Sequence, residues 1–248
     1  MSKKRADQLL VDRGLAETRS QAQAMILAGE VFLQSARIDK AGAQIDDQAE
    51  IQIRSQRTRY VSRGGDKLAG ALTAHAFDPK GLRCLDVGAS TGGFTDCLLQ
   101  HGAREVVAVD VGYGQLAQKL RDDPRVFVHE RTNARTLTPV QIGGPVDLVV
   151  VDASFIGLGK LADGMAACLV PNGALLALVK PQFEAGAEEA RKGHGVIRDA
   201  GVRSRAIESA IDDLRAHGFV VIGTSDCVLP GPKGNVEAFV HASLGTRP

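Results

Sequence analysis

The chain has 248 residues, a formal net charge of +1 at pH 7 and 44% apolar residues, enough length to bury one large domain and a small one. No apolar run approaches a bilayer span, and Met1-Ser-Lys-Lys-Arg5 leads into polar sequence instead of a signal-peptide core, so a soluble, cytoplasmic protein is expected. Cys84, Cys97, Cys168 and Cys227 lie far apart without metal-site spacing, which argues against a disulfide frame or zinc centre.

Residues 1–60 read as a separate small module. A short helical pattern over Asp7 to Asp12 is stopped by Gly14. Thr18 and Gln21 form a capping-box signal, and Ala22, Met25 and Ile26 follow at helical spacing up to Gly29. Strand signals come next at Val31 to Leu33, around Ile38, and at Glu50 to Arg54, where apolar and polar residues alternate. Cations gather at Lys3, Lys4, Arg5, Arg13 and Arg19, and again at Arg54, Arg57, Arg59 and Arg63. They suit a phosphate-binding face, although acids are present in similar number and a solvated surface would look the same. The order of Arg5, Asp7 and Leu9, then Arg19-Ser20, then Ile26-x-x-Gly29-x-Val31-x-Leu33 resembles the ribosomal S4-type RNA-binding domain. That resemblance implies structured RNA without naming a reaction.

A basic connector ends at Gly64-Gly65, and Leu68, Ala71, Leu72 and Ala76 mark a helix carrying Lys67 near its start. Beyond Pro79, strands are expected at Leu82 to Val87, Glu105 to Asp110, Val126 to His129, Asp147 to Asp152 and Ala174 to Lys180, and later at Phe219 to Thr224 and Val236 to His241. Helical stretches at Gly93 to His101, Gln115 to Leu120, Leu158 to Leu169 and Val202 to His217 separate them. Such alternation predicts an α/β fold, a mostly parallel Rossmann-like sheet with helices on both faces.

The first of these strands sets the chemistry. Leu82 to Asp86 runs into Val87-Gly88-Ala89-Ser90-Thr91-Gly92-Gly93-Phe94, a strand, a tight glycine turn and a helix start. Ser90 stands where a dinucleotide fingerprint would have its second glycine, so the ligand need not carry a pyrophosphate. The turn suits S-adenosyl-L-methionine, whose zwitterionic end needs polar backbone groups. Asp110, about 24 residues beyond Asp86, sits near the spacing of a ribose-binding acid; it would also serve as a helix cap. Asn133, in Thr132-Asn133-Ala134, is a candidate for the adenine side of the pocket or an ordinary turn residue.

Asp152 ends the fourth strand at the edge where such sheets hold ligands, and so faces the same crevice as Gly88. Lys180 closes an apolar strand, an unusual place for an ammonium unless it is paired or snorkels to the surface. Pro181 is expected to stop the ladder there. Glu237 follows Gly231-Pro-Lys-Gly-Asn235 and by itself reads as a hairpin residue.

Lys67, Asp152, Lys180 and Glu237 resemble, in order and context, the Lys-Asp-Lys-Glu tetrad of S-adenosylmethionine-dependent RNA ribose 2′-O-methyltransferases. With Ser62-Arg-Gly-Gly-Asp-Lys67, Val151-Asp-Ala-Ser-Phe-Ile156 and Lys180-Pro-Gln-Phe183, nearly the whole chain is similar to the TlyA (hemolysin A) family of ribosomal RNA methyltransferases. The resemblance implies an S4-type domain at 1–60 and an FtsJ-like methyltransferase domain at 61–248. It also implies transfer to a cytidine 2′-hydroxyl of ribosomal RNA, free or in an assembled subunit, with no metal. Lys180 would be the base, which must be neutral to act, with Asp152 orienting it and Lys67 and Glu237 positioning the ribose. The hemolysin name suggests membrane activity, but no amphipathic membrane segment is visible; a noncatalytic RNA-binding assembly factor and a small-molecule methyltransferase, the latter disfavoured by the first 60 residues, are the other rivals. The charged stretch from Glu184 to Arg198 is expected to be a mobile loop over the crevice, with His194 facing solvent. Target nucleotide and oligomeric state are open.

Overall fold

The computed structural model describes residues 3–53, 59–186, 189, 191 and 193–245. The expectations for Arg54, Arg57 and part of the Glu184 to Arg198 stretch therefore lie outside the described residues.

The first module holds β1 (Lys3–Arg5), α1 (Ala6–Asp12), α2 (Arg19–Leu27), β2 (Val31–Leu33), β3 (Ala36–Arg37), β4 (Gln44–Asp46) and β5 (Ile51–Ile53). Its small core gathers Leu9, Leu10, Ala22, Ile26, Val31 and Ile45. The α2 cap forms as expected, with Thr18 Oγ1 accepting from Gln21 N at 3.1 Å. Gln21 Oε1 reaches one residue further back, to Glu17 N. The antiparallel pair β1–β4 was not expected. β1 is Lys-Lys-Arg and wholly exposed, so no apolar alternation announces it.

The second part comprises α3 (Gly64–Ala74), β6 (Arg83–Val87), α4 (Gly93–Gln100), β7 (Glu105–Val109), α5 (Gln118–Arg121), β8 (Val126–His129), β9 (Val146–Val151), α6 (Gly159–Cys168), β10 (Leu169–Val179), α7 (Pro181–Glu184), α8 (Ala200–Ala216), β11 (Phe219–Asp226) and β12 (Ala238–Leu244). Seven strands form one sheet in the order β11-β12-β10-β9-β6-β7-β8. The run from β10 to β8 is parallel, and β12 inserts antiparallel between β10 and β11. β7, β9 and the second half of β10 are near-continuous Val/Leu/Ala runs because both faces are covered. One face packs Leu85, Val149, Leu175 and Val240 against Met165 and Leu214 of α6 and α8. The other packs Cys84, Val106, Leu148 and Leu176 against Leu68, Phe94 and Leu98 of α3 and α4.

One expectation needs correction. The helix expected over Gln115 to Leu120 is a single turn, because Ala117 is extended (ψ 139). Gly114 N and Gly114 O are held by Glu130 and Thr18 respectively, long-range bonds that override local propensity. Pro181 also does more than end a strand: it occupies the first position of α7, where its fixed φ and missing N–H are tolerated.

Where α3 crosses α4 the backbones come close. A Cβ on Gly65 would lie 2.3 Å from the Tyr60 ring, and Tyr60 is buried. Gly65→Ala is therefore expected to destabilise the protein by about 1–3 kcal/mol, seen as a lower urea midpoint at unchanged m-value.

Candidate active site

The strand order reverses between β6 and β9, which lie side by side although β7 and β8 intervene in sequence. Their carboxyl ends open a crevice at this switch point. Asp152 N donates to Val87 O at 3.0 Å, so the two strand ends are stitched together. Gly88 has φ +83, and a Cβ there would meet Asp152 O at 3.0 Å. Only glycine gives both the turn and this approach.

A cavity of about 390 Å³ fills the crevice, within the size range of small-molecule sites. The β6–α4 loop supplies one wall through Gly88 to Thr91, Gly93 and Phe94. Asp152, Ser154 and Phe155 enter from the end of β9, Lys180, Gln182 and Phe183 from the end of β10, and Asn235 and Glu237 from the approach to β12. Lys67 projects from α3, and Ala24 and Leu27 of α2, with Ala28 just beyond its end, close the remaining side.

All four tetrad candidates thus line one cavity, arranged as two ion pairs. Lys67 Nζ lies 2.5 Å from Glu237 Oε2, and the pair is buried at 4% and 1% exposure. Lys180 Nζ lies 2.5 Å from Asp152 Oδ1 and donates to Ser154 Oγ at 2.8 Å. An ammonium carries three donors, so one position on Lys180 Nζ is not accounted for by these two partners.

Asp86 is fully buried at the base of the glycine loop. Its Oδ2 accepts from Thr95 N at 2.9 Å and Thr95 Oγ1 at 2.7 Å, which ties β6 to the first turn of α4. Its Oδ1 has no partner among the described residues, and the same holds for Gln182 Oε1 and Glu237 Oε1. Burial pushes the Asp86 carboxyl up to about 7, against the opposing pull of Thr95; the charges of Asp152 and Asp110 add to the rise. Buried acceptors left over around an apolar-walled cavity fit an adenosyl amino acid, whose ammonium and cationic centre need such partners and whose base needs apolar contact.

Three cofactor candidates stand off the cavity wall. Asp110 accepts from Ser90 N at 2.8 Å and from Gly112 N at 2.7 Å, and so fixes the loop. Asn133 Oδ1 caps the following 3₁₀ turn through Arg135 N. Gly92 (φ +96) faces Leu116 and Leu120.

Sequence reasoning missed several lining groups. Asn235, buried, accepts from Ile197 N at 2.8 Å and donates to Gly195 O at 2.9 Å, stitching the stretch after His194 to the cavity rim. Glu184 ties the beginning of the expected loop to Leu158 N at 2.8 Å. His194 is exposed, as expected. Phe155, 75% exposed with φ +66, stands at the rim with its ring 5.1 Å from that of Phe183. Nothing in the sequence placed α2 against this cavity, since its apolar residues also serve its own core.

The sheet order and the glycine loop over the switch point define a Rossmann-like fold. The chain belongs to the FtsJ-like methyltransferase family, whose sequence pattern matches residues 60–244, and it carries an S4 domain at residues 4–51. S-adenosyl-L-methionine is its cofactor. It is 47% identical, over 95% of this chain and 88% of the relative, to the 16S/23S rRNA (cytidine-2′-O)-methyltransferase TlyA of Mycobacterium tuberculosis. Hemolysin A of Brachyspira hyodysenteriae is 39% identical over 96% of this chain and 98% of its own. A solved structure from Streptococcus thermophilus, described as a hemolysin, is 41% identical with a TM-score of 0.76, covering 100% of this chain and 90% of that one. Among the described residues no helix is long and apolar enough to cross a membrane.

Two measurements follow from the buried charges. Lys67→Met leaves the Glu237 carboxylate buried and unpaired and is expected to cost roughly 3–5 kcal/mol of stability, whereas the double variant Lys67→Met/Glu237→Leu recovers most of it; urea midpoints decide. Asp86 holds its proton to higher pH in the folded protein than in the unfolded chain, so the folded state binds more protons between about pH 4 and 7. Its contribution to stability therefore falls as pH rises through that window. Asp86→Asn should remove this component, of order 4 kcal/mol across the range, from the pH dependence of the urea midpoint.

Proposed function

We propose that the chain transfers a methyl group from S-adenosyl-L-methionine to the 2′-hydroxyl of a cytidine in ribosomal RNA. The observation that carries this reading is the convergence of two lysine–carboxylate pairs on the cavity beneath the glycine loop. The substrate class is supported by the relative that acts on cytidine in 16S and 23S rRNA and by the S4 domain. The division of labour follows a boundary near residue 60, with residues 1–60 binding RNA and 61–248 carrying the chemistry. The cytoplasm is the compartment that matches this substrate.

A ribose hydroxyl is a weak nucleophile at neutral pH. The bound cofactor supplies a methyl group already activated by its sulfonium centre, so the protein's work is to hold the hydroxyl in line and take its proton. Alignment alone can account for roughly 7 to 11 kcal/mol. Lys180 is the base, with the lone pair of Nζ directed to the hydroxyl. Asp152 and Ser154 fix Nζ from the other sides, and Asp152 stabilises the ammonium once the proton arrives. Lys67 and Glu237 form the facing wall and position the ribose. Asp86, the backbone from Gly88 to Phe94 and Asp152 hold the cofactor, with Asp110 acting through the loop amides it anchors.

Labelled methyl transfer onto purified ribosomal subunits tests the reading. The product is expected to be a ribose whose 3′ linkage resists alkaline cleavage, mapped to a cytidine. Lys180→Ala should lower kcat by about 10²–10⁴-fold with the KM for subunits changed little. Undiminished turnover in that variant removes Lys180 from the role of base. RNA binding without transfer under any condition points instead to a noncatalytic assembly factor.

A further inference from the structure

Just before β12 the backbone closes on itself: Gly231 N donates to Asn235 O and Gly234 N to Gly231 O, both at 2.8 Å. The Glu237 carboxylate rests against this turn, since a Cβ on Gly231 would lie 2.6 Å from Glu237 Oε1. The turn and the carboxylate that pairs with Lys67 therefore keep a common position.

The turn is held from several sides. Arg63 Nη2 donates to Pro230 O at 2.8 Å, Arg203 Nε to Val236 O at 2.9 Å, and Ile197 N to Asn235 Oδ1 at 2.8 Å. These three donors belong to the methyltransferase domain. The donor to Pro232 O does not: it is Nη1 of Arg37, on β3 of the small module. Asp39 keeps that side chain in place, its Oδ1 accepting from Arg37 Nε at 2.6 Å. Gly29, just past α2 with φ +75, makes room for the contact; a Cβ there would lie 3.2 Å from Arg37 Cδ and 3.7 Å from Pro232 Cβ. In the same corner, burial pushes the Glu30 carboxyl up against the opposing charge of Arg63.

We infer that Arg37 is a positioning residue for methyl transfer: through Pro232 O it sets the turn beside Glu237, so that the docked small module completes the wall of the tetrad. This rests on the reading of the tetrad as the site of transfer. A guanidinium gives a carbonyl a charge-assisted bond from a planar group with little freedom of its own. Misplacing a reacting group by about 1 Å can cost on the order of 10²-fold in rate, even when the substitution is remote from the chemistry. The contact is therefore read in turnover, whereas a contact that only holds RNA moves KM and leaves kcat alone.

Arg37→Leu removes the bond and keeps the aliphatic packing against Gly29 and Pro232. The single-turnover rate at saturating ribosomal subunits should fall about tenfold, with the KM for subunits and calorimetric S-adenosylmethionine affinity little changed. Arg37→Lys, which still donates to Pro232 O, should recover most of the rate. A rise in KM alone assigns Arg37 to substrate binding and overturns the inference, as does an unchanged rate in folded Arg37→Leu, or a lowered rate that Arg37→Lys leaves equally low. If Arg37→Leu does not fold, Arg37→Gln, polar and too short to reach Pro232 O, decides alone, and an unchanged rate there overturns it. Absence of transfer by the native chain overturns the reading of the tetrad instead.

Discussion

The contact on which the site most depends is the ion pair between Lys67 and Glu237. It joins residues 170 positions apart, one on the helix that follows the connector and one at the threshold of the last strand. Both are almost without solvent, so neither charge is tolerable alone. The pair therefore fixes α3 against the approach to β12 and makes a wall of the cavity with the same two side chains. One contact is thus both a brace between distant segments and a wall of the cavity, because a buried charge needs a partner whether or not a substrate is present.

Opposite that wall, the ends of β6, β9 and β10 deliver the remaining groups. Parallel strands carry their carboxyl ends to one edge, so acids and bases closing successive strands meet without any local sequence relation between them. Asp86 and Asp152 come together because β6 and β9 are neighbours in the sheet, and Lys180 joins because β10 is next. The approach of Gly88 to the backbone at Asp152 closes the floor. Asp110 works one step removed, holding the amides of Ser90 and Gly112 and hence the shape of the loop.

The small module is part of the same construction. Residues of α2 form a side of the cavity, while its first turn carries an arginine held by Asp7. One helix therefore joins the core of the small module to the wall of the cavity. Hydrogen bonds of Thr18 to Gly114 and of Arg37 to Pro232 hold the module in that register.

Much of this was legible before any coordinates. The strand, glycine turn and helix from Leu82 to His101 follow from local pattern, because doubly covered strands must be apolar throughout and a tight loop at a ligand needs residues without side chains. Asp152 and Lys180 stood out as charges ending apolar runs, and Thr18 as a cap. These are properties of short windows, which periodicity and turn chemistry determine. The tertiary structure decided what depends on distant partners: the sorting of four charges into two pairs, the stitching by Asn235, the shortened helix after Gly114, the polar pair β1–β4, and α2 as a cavity wall. None of these has a local signal, since hydrogen bonds and ion pairs between remote segments leave residue types unchanged and are settled only when the sheet and the two cores close.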